Sequence, residues 1–167
     1  LLGLFDNMNA LSELQDMVYR SLKGSNREEK FGCQAIVNEY DEVEGFNDRL
    51  LIGASEIPLR RVVEEIHRLG GVSIAAHIDR ESFSILGQLG FIPEDLPLDA
   101  LEISRRTGPA EARKLFPHIA HRPVLRSSDA HFIEDIGSAS TVIAVKEPVM
   151  EEFIKAFRGM DGRYIKA

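Results

Sequence analysis

The stretch Gly70-Gly71-Val72-Ser73-Ile74-Ala75-Ala76 constrains the fold more than any other. It is short, apolar, partly β-branched and opened by glycines, which suits a strand buried on both faces of a parallel sheet. The same kind of run recurs at Ala100-Leu101-Glu102-Ile103-Ser104 and at Val124 to Ser127. Between these runs lie segments of helical character. Leu59, Val62, Val63, Ile66 and Leu69 mark the buried face of one, opened by Ser55 or Glu56, with Pro58 near its first turn. A shorter helix is predicted over Ser82 to Leu89, and another over Ala110 to Leu115. Thr141 to Val145 reads as a further strand, Pro148 to Phe157 as a last helix and Tyr164-Ile165 as a short tail strand. Strands alternating with helices predict parallel β-α units, hence an α/β fold.

The first fifty residues are less regular. Leu1 to Phe5 reads as a buried strand cut into at its beginning, so the chain is expected to be a fragment with a preceding portion absent. Asn9 can cap a helix that carries Leu11, Leu14, Met17, Val18 and Leu22, with Gly24 closing it. Residues 31–51 read as a hairpin or surface insertion around the charged stretch Asn38 to Glu42. The acidic run Glu39 to Glu44 is either a cation site or, in the simpler reading, a solvated loop tip.

At 167 residues this is one domain or a large piece of one. The net charge of −7 speaks against broad nucleic-acid binding through a basic surface. No apolar run approaches the ~20 residues that cross a bilayer, so no membrane partner is expected. Cys33 is the single cysteine, which rules out a disulfide framework within the chain and makes the cytoplasm the natural compartment.

Candidate chemistry sits where strands end. Asp129 and His131 follow the Val124 to Ser127 strand, and residues two apart in extended backbone point to one side. Both are ligands for zinc, manganese or iron; the plainer reading is an Asp N-cap beside a surface His. His77 ends the Val72 to Ala76 strand and is either a ligand or a support for a loop. In parallel β-α units both strand ends lie on one face, so the three residues could converge. Arg80 follows His77; its planar fork suits phosphate, or else it pairs with Asp79 or Glu81. Glu102 and Ser104 share a side of their strand, and one of them could orient a ligand. His67, His118 and His121 read as structural or loop residues. No G-x-S-x-G, Walker or G-x-G-x-x-G motif occurs.

Two of these stretches resemble a known family. Gly70 to His77 resembles the third motif of the PHP (polymerase and histidinol phosphatase) family. Ser128-Asp129-Ala130-His131 with Glu134-Asp135-Ile136-Gly137 resembles its fourth, and Leu101-Glu102-Ile103 fits between them. The resemblance implies a distorted seven-stranded β/α barrel, of which this chain is the C-terminal part with the N-terminal β-α units missing. It implies two or three divalent ions (zinc, manganese or iron) in the intact protein, with His77, Asp129 and His131 matching metal ligands. It also implies phosphoester hydrolysis, with Asp129 as the catalytic carboxylate among the matched ligands; the expected substrate is a phosphorylated small molecule or a nucleotide, which Arg80, on its own position and chemistry, would bind. The chain departs from the pattern in having Ile78 where proline usually follows the third-motif His. The first-motif His-x-His pair, the second-motif His and the later Glu and His have no counterpart. This fragment alone is therefore expected to be inactive, and its open sheet edges are expected to favour self-association. Two rival readings are a non-catalytic binding module that keeps the fold and an amidohydrolase-like metal hydrolase.

Overall fold

The computed structural model describes residues 1–119 and 121–166. In chain order the elements are β1 (Leu2–Leu4), α1 (Met8–Ser21), α2 (Glu28–Phe31), β2 (Ala35–Val37), β3 (Val43–Phe46), α3 (Leu59–Arg68), β4 (Val72–Ala75), α4 (Ile85–Leu89), β5 (Ala100–Ile103), α5 (Pro109–Leu115), β6 (Val124–Arg126), β7 (Val142–Ala144), α6 (Met150–Phe157) and β8 (Tyr164–Lys166). Two single 3-10 turns, Pro117–Ile119 and Ile133–Asp135, complete it.

The main sheet has four strands in the order β1-β4-β5-β6. β4, β5 and β6 run parallel, with Ile74 opposite Ala100 and Leu101 opposite Val124. The two-residue period of a strand divides their side chains between two cores. Ala75, Leu101, Ile103 and Val124 face Val63 of α3, Ala112 of α5 and Ile119. Val72, Ile74 and Ala100 face the other way, onto Met150 and Phe157 of α6, with Ile143 of β7 and Ile165 of β8 packed alongside. Both faces are covered, which is why β4 and β5 are buried at every position.

Several boundaries differ from the sequence reading. β1 is an edge strand, not a buried one: it pairs antiparallel with β4 alone, and Leu2 and Leu4 are exposed. α1 is capped by Asn7, whose Oδ1 accepts from the N–H groups of Asn9 and Ala10, so the cap lies two residues before Asn9. α3 begins at Leu59 because Ser55 is engaged elsewhere: its Oγ bonds the Ser21 hydroxyl and accepts from the Ile57 N–H. α4 begins at Ile85, capped by Ser84. β7 pairs antiparallel with β8 in a separate two-stranded sheet and does not extend the parallel one. β2 and β3 form an antiparallel hairpin with an irregularity at Val37.

Candidate functional site

Three loops meet at the C-terminal ends of the parallel strands: 76–84 after β4, 104–108 after β5 and 127–138 after β6. Asp79 fastens the first to the second. Its carboxylate accepts from the Ser104 N–H (2.8 Å), the Ser104 hydroxyl (2.7 Å) and the Thr107 hydroxyl (2.7 Å). Burial pushes the Asp79 carboxyl up, and the hydrogen bonds from Thr107 and Ser104 outweigh it, holding the group below its ordinary value. Arg105 fastens the second loop to the third through an ion pair with Asp135, whose carboxyl that guanidinium holds below the usual carboxylate range. Arg126 adds a 2.6 Å bond to the Arg105 carbonyl.

The three loops enclose a cleft of about 300 Å3. Arg80, Ser104, Arg105 and Arg106 line one side; Ser128, Asp129, His131, Phe132 and Asp135 line the other. Three guanidiniums thus face two carboxylates, a local positive excess in a chain of net charge −7. Arg80 pairs with neither Asp79 nor Glu81. Its guanidinium bonds the Asp129 carboxylate across the cleft. The His131 ring uses Nδ1 to bond the Asp129 carbonyl at 2.8 Å, leaving Nε2 for other work. Arg106 has no side-chain hydrogen bond or ion pair to another described residue, and it borders a second cleft of about 490 Å3 that shares Arg80 and Ser104.

The structure therefore brings Arg80, Asp129 and His131 into one cleft. His77 does not line it. His77 stands at the end of β4 in left-handed backbone (φ 31°), tied to β5 by its N–H donating to Glu102 Oε1 at 3.2 Å and by the Ile78 N–H donating to the Glu102 carbonyl at 2.8 Å. Asp129 is left-handed as well (φ 47°). Strained backbone of this kind persists only where the surroundings over-determine it, and it gathers at functional sites. The Nδ1 of His77 is buried and has no hydrogen-bond partner among the described residues, as suits a donor atom kept for a ligand from outside. Yet among the described residues no three His, Cys, Asp or Glu side chains stand close enough to hold a metal ion. With Asp129 already neutralised by Arg80, these residues fit part of a metal site and not a whole one.

Asp79, Arg105, Arg106, Asp135 and Phe132 carry no site role in the sequence reading. Arg105 and Arg106 do fall at a strand end, and Asp135 within the fourth-motif stretch, while Phe132 has no local signal. A different cleft of about 490 Å3, lined by His118, His121 and Arg122, opens at the opposite ends of the strands. Arg122 is engaged there with the carbonyls of Pro93, Glu94 and Leu96, so it serves the fold.

Residues 119–159 match a family model described as PHP-associated, a segment that includes Asp129 and His131. In structure the chain is similar to the lesion-specific endonuclease PfuEndoQ from Pyrococcus furiosus, with a TM-score of 0.69 and 20% sequence identity. The similarity covers 98% of this chain and 36% of that one, so the chain spans little more than a third of that enzyme's length. No curated protein matches it in sequence. The fold is thus a mixed α/β one with a parallel sheet, shared with that endonuclease, and the match over residues 119–159 bears out the resemblance to the PHP family read from the motifs.

Proposed function

We propose that the chain forms part of a metal-dependent phosphoester hydrolase and supplies its phosphate-binding wall. The observation that carries this reading is the meeting of Arg80, Arg106, Asp129 and His131 in one cleft at the C-terminal ends of parallel strands. The planar donor forks of Arg80 and Arg106 match phosphoryl oxygens. Asp129 and His131 share the cleft and are two candidate ligands for zinc, manganese or iron; His77 stands outside the cleft, so a complete ligand set would need further groups. The four-stranded sheet is then an arc of a distorted seven-stranded β/α barrel. The structural neighbour is an endonuclease, but a net charge of −7 favours a small phosphorylated ligand over an extended nucleic-acid surface. The single exposed cysteine accords with a cytoplasmic setting.

The test is calorimetric titration of Mn2+ and Zn2+ into the chain and into its Asp129→Ala and His131→Ala variants. Weak, saturable binding that falls at least about tenfold in each variant is expected, as for loss of a supporting ligand. Absence of binding, or equal binding in all three, would overturn the metal assignment. The second reading, a non-catalytic binding module, is favoured by the Arg80–Asp129 pair, which leaves Asp129 neutralised without a metal.

A further inference from the structure

The fold leaves Phe132 without a structural use. Its side chain belongs to neither hydrophobic core and is 72% exposed. It is nevertheless held in place. The Asp135 N–H donates to the Phe132 carbonyl at 3.0 Å, starting the 3-10 turn Ile133–Asp135. Asp135 is in turn pinned by Arg105. An exposed aromatic ring on a fastened backbone thus stands in the wall of the same cleft as Arg80 and Arg106. Phe132 also borders a shallow groove lined by the exposed Ile133 and Ile136, and those two residues do not reach this cleft. A flat apolar face beside guanidiniums is the pairing that holds a nucleotide, since every base has a π-face to stack and a phosphate to anchor.

We propose that Phe132 is the platform on which the base of a nucleoside monophosphate stacks, while Arg80 and Arg106 hold its phosphoryl group. This names the ligand class of the site and rests on the phosphate reading above. The cleft, about 300 Å3, lies at the lower end of the range for small-molecule sites. It therefore suits one nucleotide and not a duplex.

The experiment measures binding of adenosine 5′-monophosphate and of ribose 5-phosphate to the 167-residue chain by isothermal titration, with binding-site resonances followed by NMR. The two probes carry the same phosphate, and only the first carries a base. Adenosine 5′-monophosphate is expected to bind at least about fivefold more tightly, the low end of what stacking contributes. Phe132→Ala is expected to remove that advantage and Phe132→Trp to keep it, while Arg106→Ala weakens both probes alike. Because Phe132 is exposed, its substitution leaves the cores intact. Equal binding of the two probes to the unaltered chain, or an advantage that survives Phe132→Ala, would overturn the stacking role and leave the phosphate site standing. Failure of both probes to bind would overturn the phosphate reading, and the stacking role with it.

Discussion

Replacing Asp79 with Ala removes the acceptor of three hydrogen bonds that tie the β4–α4 loop to the end of β5. Two of the donors are hydroxyls of residues that solvent hardly reaches, Ser104 at 6% and Thr107 at 9% exposure. A buried polar group left unsatisfied costs about 1–3 kcal/mol. Asp79 itself is half-buried, so screening reduces what its charge contributes. The expected loss is about 2–4 kcal/mol, read as a lower urea midpoint at unchanged slope. Asp79→Asn should cost only about 1 kcal/mol, because the amide oxygen still accepts one bond and both hydroxyls can turn to accept from its NH2. The pH dependence separates charge from shape. The folded-state pKa of Asp79 is depressed, so its charge stabilises fully above the ordinary Asp value of about 3.9 and progressively less as pH falls through the depressed value. The gap between the native chain and Asp79→Asn should therefore hold steady down to about pH 4 and narrow below it. An Ala variant as stable as the native chain, or a gap that widens in acid, would refute the reasoning.

Three further outcomes are expected. Arg163, the Lys146 N–H and Lys155 hold the Glu152 carboxyl down at about 2, so its contribution is complete above the ordinary Glu range and lost as pH falls through that value; Glu152→Gln should flatten the acid limb of a thermal-melt series. A Cβ on Gly87 would collide with the Glu81 carbonyl, a backbone atom that cannot swing away. Gly87→Ala should then displace the loop carrying Arg80 and cost about 1–3 kcal/mol, seen as a lower urea midpoint together with shifted Arg80 resonances; an unshifted site would contradict the close approach. The β2–β3 hairpin pairs with no further strand among the described residues and exposes Ile36, Val37, Val43 and Phe46. Concentration-dependent self-association should appear in sedimentation and fall with Val37→Lys, whereas a monomer at every concentration would count against edge pairing.

The alternation of strands and helices was legible because burial imposes it locally. Val72 to Ala75 and Ala100 to Ile103 are buried at every position, and apolar but for Ser73 and Glu102, because both sheet faces are covered. Leu1 to Phe5 has the same apolar texture and sits at an edge. Hydropathy marks a segment as strand-like without naming its neighbours, and the same limit hid the pairing of β7 with β8. Helix starts slipped where a capping side chain was drawn away, as Ser55 was by Ser21. In the candidate site, Asp129 and His131 were visible through their spacing. Their relation to Arg80 was not, because the partners are 49 residues apart and nothing local encodes the contact. Asp79 was hidden for the same reason: its donors, Ser104 and Thr107, come from the loop after β5, 25 and 28 residues on.

Arg80 was the phosphate-binding candidate from sequence, and the geometry divides that role. A guanidinium bonded to Asp129 has part of its charge answered and part of its donor fork occupied. Arg105 is committed to Asp135 and serves as a strut. Arg106 alone among the three cleft arginines has no side-chain partner among the described residues, and it borders both adjoining clefts. Leaving the exposed Arg106 guanidinium unpaired costs the fold almost nothing, since exposed ion pairs contribute little to stability. It makes sense for an incoming anion, which meets a full set of donors at Arg106 first and gains Arg80 only by competing with Asp129. On this logic Arg106→Ala should weaken phosphate binding more than Arg80→Ala, the reverse of the order that the motif's position would suggest.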